Sequence, residues 1–239
     1  MTGFHSTPPD RHVPDNDIFE TDTPTPPDNA DTADTGSRPF PWPPGPDESV
    51  FEAWGRTWSG ASLAPRGFFA SLPRTGSLGA AVLYYLSIGI PVAGVQLFWS
   101  MLGDGSGDDV VEAGNALAAW GPLVEFLISP LYLLVSLFLS AGVVHLMLKL
   151  FGASGDFGVT ARTFAFAYSP QILGIVPVAG AIAGFFWMVV VAIIGVREAH
   201  GTTTGRAAAA ILIPLSIALA FVIAAELIVR AGGLLDVPI

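Results

Sequence analysis

Cysteine is absent from the 239-residue sequence, and charged side chains are scarce, making up only 13% of it. Without cysteine the chain forms no disulfide, zinc–thiolate site, iron–sulfur cluster or thiol nucleophile. About a quarter of the residues in a soluble domain are charged, so the low fraction argues against that class. Apolar residues make up 51% of the chain and the mean hydropathy is +0.59, which is typical of a membrane protein.

Basic residues are few as well, with ten lysines and arginines against twenty acidic residues and a net charge of −10. No basic stripe is available to neutralise phosphates, so nucleic acid is not an expected partner. The first twenty residues lack the basic start and the apolar run of a secretory signal. We therefore expect no cleaved signal there.

Catalytic motifs are also lacking: the sequence has no G-x-S-x-G, no H-E-x-x-H and no glycine loop that ends in Lys-Ser/Thr. The string GSGD at 105–108 matches one found in intramembrane aspartyl proteases. Their chemistry needs two facing aspartates, and no apolar run holds a partner for Asp108. We expect no catalytic residue, no cofactor and no metal, and a protein that acts by binding.

Residues 1–47 form a distinct acidic segment that holds 11 of the 20 prolines. Residues 10–52 include eleven acidic and two basic side chains, a net charge of −9. Such a segment cannot bury enough apolar surface to offset the entropy lost on ordering, so we predict a disordered cytoplasmic tail. The tail ends in PFPWPPGP, Pro39 to Pro46, which favours polyproline II. We predict a stiff spacer there, with docking on an aromatic groove as the alternative.

Residues 48–76 carry Phe51, Trp54 and Trp58 at i, i+3 and i+7, which places the three rings on one face of a short helix. Tryptophan is enriched at the headgroup layer, where its ring has an apolar and a wet neighbour. The pattern predicts an interfacial amphipathic segment that lies flat on the membrane. Packing of these rings against the membrane domain is the alternative.

The remainder, residues 77–239, contains five apolar runs, and crossing a hydrocarbon core of about 30 Å takes roughly 20 helical residues. We predict a five-span membrane domain with helices at 78–102, 123–151, 159–176, 178–196 and 207–229. The third run holds Arg162 and Ser169-Pro170. Because proline removes a backbone donor, this helix should kink near Tyr168.

Basic residues set the orientation, because cytoplasmic loops retain lysine and arginine. Arg56, Arg66 and Arg74 precede the first run, whereas the loop at 103–121 is acidic and has no basic residue. Further basic residues flank the later loops on the side of the N-terminus: Lys149, Arg162, Arg197 and Arg206. The N-terminus is therefore predicted to be cytoplasmic and the C-terminus outside, in a plasma membrane or, in a bacterium, the inner membrane.

A series of short motifs occurs in a fixed order along the membrane domain. They are LAPRGFFASLP at 63–73, His145-Leu146 before Gly152-x-x-Gly155, Tyr168-x-Pro170, a Pro-Val-Ala-Gly turn at 177–180, Trp187, Gly195-x-Arg197-x-x-His200-Gly201 and Arg206-Ala207. In these motifs the chain resembles the Yip (Ypt-interacting protein) domain family in its prokaryotic form. The resemblance covers roughly residues 60–230 and leaves out the acidic tail.

The resemblance implies an all-α polytopic membrane protein with a five-helix transmembrane bundle and a cytoplasmic N-terminus. This orientation agrees with the distribution of basic residues. Eukaryotic members of the family are associated with Rab-type GTPases and vesicle trafficking. Their DLYGP motif does not occur in this sequence, so GTPase binding is not carried over to it.

Ionisable groups in membrane spans are functional candidates, because burying their charge in lipid is costly. Glu125 and Glu226 lie near the outer ends of the second and fifth runs, and Arg230 is one helical turn beyond Glu226. We hypothesise that Arg230 bridges both carboxylates and ties the two helices together. The alternative is that both glutamates extend to water.

On the inner side, His145 lies one turn before Lys149 and near the loops that hold Arg197 and His200. This polar cluster is a candidate proton-linked or partner-binding site. The alternative is that the histidines are satisfied packing groups.

Uncharged residues form a further set of candidates. Tyr168 and Gln171 flank the break at Pro170, where they can form hydrogen bonds between helices. The fourth run contains Gly180-x-x-x-Gly184, a spacing that lets two backbones approach closely. We predict a contact within the chain there, with a homodimer face as the alternative.

The sequence therefore predicts a non-enzymatic membrane scaffold or adaptor involved in membrane organisation or trafficking-like processes. Its partners would be membrane lipid and proteins bound through the N-terminal tail and the inner loops, and a homo-oligomer stays open. The alternative is an oligomeric channel, transporter or lipid-moving protein. It would use the kinked third run and the polar side chains of Gln96, His145 and Gln171.

Overall fold

The computed structural model describes Gly3 and residues 40–102 and 121–235. All regular secondary structure in these residues is helical. The α-helices are α1 Val50–Leu63, α2 Pro65–Ala70, α3 Leu78–Leu102, α4 Gly121–Leu150, α5 Phe157–Ala167, α6 Ala179–His200 and α7 Thr204–Leu235, and a 3₁₀ helix covers Ser169–Ile175. The predicted disorder before residue 40 and the GSGD string at 105–108 lie outside the described residues.

Four of the described helices, α3, α4, α6 and α7, are long and apolar enough to cross a membrane. They correspond to four of the five predicted runs. The run at 159–176 is not one long helix, because α5 ends at Ala167 and the 3₁₀ helix follows. The described residues therefore contain four long membrane helices and one divided segment.

Two Ser-Pro pairs occur in the bundle, one at this division and one inside α4. At each, the serine hydroxyl replaces a helical hydrogen bond that the proline cannot make. Pro170 has no N–H to continue α5, whose C-cap is Tyr168. The Ser169 hydroxyl donates to the carbonyl of Phe166 at 2.6 Å, which replaces the helical bond lost at the proline. In α4 the Ser129 hydroxyl donates in the same way to Phe126 at 2.8 Å, ahead of Pro130. Such replacement bonds matter in lipid, where no water satisfies a free carbonyl.

The helices of the bundle pack on one another. α3 and α4 run antiparallel, since the Tyr85 hydroxyl lies 3.2 Å from Ser136 Oγ while Gly89, one turn later, contacts Leu133. α6 packs on both α5 and the 3₁₀ helix, and α7 packs on α4 and α6. The largest fully buried side chains lie between these helices: Tyr84, Phe69, Ile88, Leu148, Val191 and Val196.

The outer surface of the bundle is apolar. Large hydrophobic side chains of α3, α4, α6 and α7 are exposed, and all residues of α7 from 216 to 231 are exposed. In water such a surface would be unfavourable, but it suits contact with lipid acyl chains. The fold is therefore that of an integral membrane protein.

The helix α1 packs on the bundle through its tryptophans. The Trp54 indole N–H donates to Ser87 Oγ at 2.8 Å, and the Trp58 indole N–H donates to Ser169 O at 3.1 Å. Phe51, on the same predicted face, is 88% exposed. The two tryptophans thus contact membrane helices, and the interfacial position of the segment as a whole stays a prediction.

The turn between α1 and α2 lies deep along α6. The Trp187 indole N–H donates to Ser62 O at 2.9 Å. Trp187 is 13 residues from the end of α6 at His200, a distance of about 20 Å at 1.5 Å per residue. The chain then returns, because Phe69 of α2 contacts Gly195, close to that end. α1 and α2 therefore form a hairpin against the bundle.

Gly180 and Gly184 lie where α6 passes closest to the 3₁₀ helix. A Cβ atom on Gly180 would collide with the carbonyl oxygen of Leu173, and one on Gly184 would lie 2.9 Å from that of Pro170. Both approaches are too close for a larger residue without a shift of the backbone. In the structure this close contact lies within the chain.

Replacing Gly180 with alanine should therefore destabilise the bundle. We expect Gly180→Ala to lower the free energy of unfolding by about 1–3 kcal/mol, as overpacking does. Thermal unfolding in detergent measures it. The matched control is Gly142→Ala in α4, where an added methyl group meets nothing within 4 Å. The control should leave Tm unchanged or slightly higher, because alanine favours helix; equal losses in both variants would contradict the packing.

Candidate functional site

Two histidines and a threonine form a hydrogen-bonded chain at one end of the bundle. His145 Nδ1 lies 2.9 Å from Thr160 Oγ1, and His200 Nε2 lies 3.1 Å from the same oxygen. His200 Nδ1 lies 3.3 Å from the carbonyl oxygen of Ser154. The three side chains come from α4, α5 and α6. Their bonds therefore join these helices at the polar end of the bundle, formed by residues 145–162 and 197–206.

One direction of proton donation satisfies the whole chain. The Ser154 carbonyl only accepts, so His200 Nδ1 carries a proton, and in the neutral imidazole its Nε2 accepts. Thr160 then donates to His200 and accepts from the Nδ1–H of His145. Thr160 is fully buried and His200 is 7% exposed, so these bonds replace the water that both groups lose on burial.

The loop before α5 holds His200 in place. Asp156 caps α5, its Oδ1 accepting from the backbone N–H of Val159 at 3.0 Å. Lys149 Nζ donates to the carbonyl of Gly155 at 2.8 Å. Gly155 has φ of 144°, and a Cβ atom there would collide with the His200 ring. This position therefore requires glycine.

Arg162 is a buried cation beside the histidine chain. It is 3% exposed, its Nε donates to Gly158 O at 3.2 Å and its Nη2 donates to Arg74 O at 2.6 Å. Its Nη1 is buried without a hydrogen-bond partner in the described part of the chain. These bonds join α5 to the segment before α3.

Arg197 lies apart from the histidine chain. It pairs with Glu198, and its Nη1 lies 3.3 Å from Thr204 Oγ1 at the start of α7. The predicted cluster is thus divided, with His145 and His200 joined through Thr160 and Arg197 turned to α7. In the described ranges no group of three or more His, Asp or Glu side chains is placed to hold a metal ion. The arrangement can fix helices to one another, and its hydrogen bonds are formed between groups of the chain.

The proline-rich segment also packs on the bundle. The Trp42 indole N–H donates to the carbonyl of Ala80 at 2.6 Å, and its ring centroid lies 5.7 Å from that of Tyr84. The Phe40 ring centroid is 4.9 and 5.4 Å from two further rings, those of Phe68 and Phe166. We call this binding surface the aromatic socket, formed by Phe68, Ala80, Tyr84 and Phe166. The segment therefore docks on an aromatic groove of its own chain.

The opposite end of the bundle shows a simpler ion pair than expected. Arg230 Nε donates to Glu226 Oε1 at 2.8 Å, with both side chains exposed. Glu125 lies elsewhere, in a cavity between α3 and α4 that Gln96 also lines. Among the described acidic residues Arg230 pairs with Glu226 alone, so the predicted bridge from Arg230 to both carboxylates does not form there.

The uncharged candidates lie in the middle of the bundle. Pro170 is buried at the start of the 3₁₀ helix. Tyr168 and Gln171 line a cavity of about 280 Å³ between α4 and α6. Gln96 Nε2 donates to Gly174 O at 3.1 Å and so joins α3 to the 3₁₀ helix. These residues share no site with His145.

Comparison with known families agrees with the membrane fold. A family model for the Yip1 domain matches residues 60–225. The match covers well over half of the chain, which therefore belongs to the Yip1 domain family of membrane proteins. No curated protein and no solved structure matches the sequence.

Sequence reasoning did not identify Thr160 or the contacts of Phe40 and Trp42. Thr160 is one of several small polar residues in an apolar run. The sequence signal of its role is its position on one helix face with Phe164 and Tyr168, at spacings of four. Phe40 and Trp42 are two large aromatic residues, two positions apart and next to the membrane domain. This spacing is the sequence signal of their contacts.

Removing the hydroxyl group of Thr160 should destabilise the polar end. We expect Thr160→Val to lower the free energy of unfolding by about 1–3 kcal/mol, because it leaves the buried imidazole of His200 and the half-buried imidazole of His145 without their shared partner. Thr163→Val is the matched control: Thr163 is equally buried on α5, but its hydroxyl only donates to Val159 O at 2.9 Å. Thermal unfolding in detergent should show the larger loss for Thr160→Val, and an equal loss in both would contradict the shared role.

Proposed function

We propose that the protein is a non-enzymatic membrane scaffold or adaptor, which holds its acidic tail at the cytoplasmic surface for other proteins to bind. The observation that carries this proposal is the aromatic socket, where Phe40 and Trp42 attach the end of the tail to the bundle. A tail that served only as a spacer would need no such attachment. Fixing one end of the tail reduces the conformational entropy that the tail loses when a partner binds it.

In this proposal the divided third run crosses the membrane beside α3. At 1.5 Å per residue for α5 and 2.0 Å for the 3₁₀ helix, the two together extend about 30 Å, the thickness of a hydrocarbon core. Contacts with α3 and the residues before it advance in step along both segments: Arg162 to Arg74, Ser169 to Tyr84, and Gly174 to Gln96. This order supports five crossings, with the third parallel to the first.

Five crossings place five of the basic residues on one side. The polar end holds Lys149, Arg162, Arg197 and Arg206, and Arg74 lies beside it through its bond to Arg162. By the positive-inside rule this side is cytoplasmic. The aromatic socket lies near the start of α3 and so on the same side. The C-terminus then lies outside.

The alternative of a conduit has less support from the positions of its residues. His145 is engaged at the polar end with Thr160, whereas Gln96 lies toward the other end of α3 and donates to Gly174 O. Neither side chain faces a path shared with the other. These bonds support a role in joining helices, which a scaffold requires.

Partner capture tests the adaptor proposal. Crosslinking the full-length protein in its native membrane, followed by mass spectrometry, should recover a defined protein partner. Deleting residues 1–47 should abolish this capture. The double variant Phe40→Ala/Trp42→Ala should reduce it severalfold, because the tail is then no longer attached at the socket.

The matched control for the double variant is Phe98→Ala/Trp99→Ala, which removes an exposed aromatic pair at the far end of α3. This control should capture the partner as the unaltered protein does. Recovery of only lipid and further copies of the chain by every variant would contradict the adaptor role, as would undiminished capture without residues 1–47.

A further inference from the structure

Two adjoining cavities lie between α4 and α6, in the middle of the bundle. Their volumes are about 280 and 360 Å³, and ligand sites are typically roughly 300–1,000 Å³. They share five lining residues: Ser140, Phe164, Phe185, Met188 and Ala192. The two cavities therefore adjoin, and we call them together the intramembrane cavity.

One half of this cavity carries several polar groups among apolar side chains. Tyr85 donates to Ser136, which in turn donates to the carbonyl of Leu133 at 2.9 Å, so these two hydroxyl groups are satisfied. Tyr168, which is half-buried, and Ser140, which is exposed, also line this half, and neither hydroxyl has a hydrogen bond to another described residue. Polar groups left unpaired in a hydrocarbon environment are costly, so these two point to a bound polar group.

Gln171 adds an acceptor to the same half. Its Nε2 makes only a long contact of 3.6 Å to Met188 Sδ. Its Oε1 lies close to the backbone of Gly184, which offers no side-chain donor. The hydroxyl groups of Tyr168 and Ser140 together with the amide carbonyl of Gln171 suit a ligand hydroxyl or carbonyl group.

The other half is apolar and opens to lipid. It lies between α4, α6 and α7, and Leu139, at its mouth, is 64% exposed. The side chains that line only this half are all hydrocarbon: Leu139, Val143, Val144, Val189, Ile211, Pro214, Leu215 and Ala218. No charged residue lines either half, which excludes a phosphate or carboxylate group.

The depth of the cavity gives a second limit. Ser140, common to both halves, is ten residues before the end of α4, or about 15 Å from it at 1.5 Å per residue. This is the middle of a hydrocarbon core about 30 Å thick. A charged lipid headgroup does not reach that depth, but an uncharged hydroxyl or carbonyl group on a long chain does.

We propose that the intramembrane cavity binds one uncharged, single-chain amphiphile, an alkyl or isoprenoid chain that carries a hydroxyl or carbonyl group. The chain lies in the apolar half, and its polar group bonds to Tyr168, Ser140 and Gln171. The site is independent of the adaptor role. Binding would fill the gap between α4 and α6 and fix their separation.

Photolabelling tests the site with a defined probe. The full-length protein is placed in phosphatidylcholine vesicles with a hexadecanol analogue that carries a diazirine in its chain, and labelled peptides are mapped by mass spectrometry. Saturable labelling is expected on α4 at 136–144 and on α6 at 185–192. Unlabelled hexadecanol should compete about 3- to 10-fold better than hexadecane, as one hydrogen bond between uncharged groups predicts.

Two conservative variants test the polar contacts. Tyr168→Phe and Ser140→Ala together should remove the advantage of hexadecanol over hexadecane while labelling stays at the same peptides. Ser100→Ala, on α3 and outside the intramembrane cavity, should keep that advantage. Unsaturable labelling spread over the exposed half of α7 would overturn the proposal. So would equal competition by the two compounds in the unaltered protein, a result that needs no variant to fold.

Discussion

The hydrocarbon core of a membrane offers no hydrogen-bond partner, and the rest of this structure depends on that constraint. A polar group that enters the bundle is stabilised there by a partner within the chain. The indole N–H groups of four tryptophans do so across different elements: Trp42 to Ala80, Trp54 to Ser87, Trp58 to Ser169, and Trp187 to Ser62. These bonds are directional, so they fix where the α1–α2 hairpin and the end of the tail lie on an otherwise apolar surface.

Much of the fold could be predicted from the sequence, because a long apolar run has one stable form in a membrane. The helices α3, α4, α6 and α7 correspond to four predicted runs. The division of the third run follows from Ser169-Pro170, since proline lacks the N–H that a helix needs. Gly180 and Gly184 likewise mark a close approach of backbones. Each of these features depends on local covalent properties.

What the sequence could not predict depends on contacts between distant residues. Thr160 joins His145 and His200 across 15 and 40 positions, and nothing in the local pattern selects it from other threonines. The hypothesis about Arg230 failed for the same reason: the i, i+4 bond to Glu226 is local and forms, whereas the bridge to Glu125 required two helix ends to meet. The depth of the α1–α2 hairpin also depends on distant partners such as Trp187.

In the proposed topology the third run crosses the membrane beside α3 and so places the polar end and the attached tail on one side. Since the chain has no cysteine, a single cysteine at Ser154 or at Val176, both exposed, reports its side by reaction with a membrane-impermeant maleimide in intact cells. Five crossings predict that Val176→Cys reacts from outside and Ser154→Cys only after permeabilisation. Reaction of both positions from the same side would contradict the account.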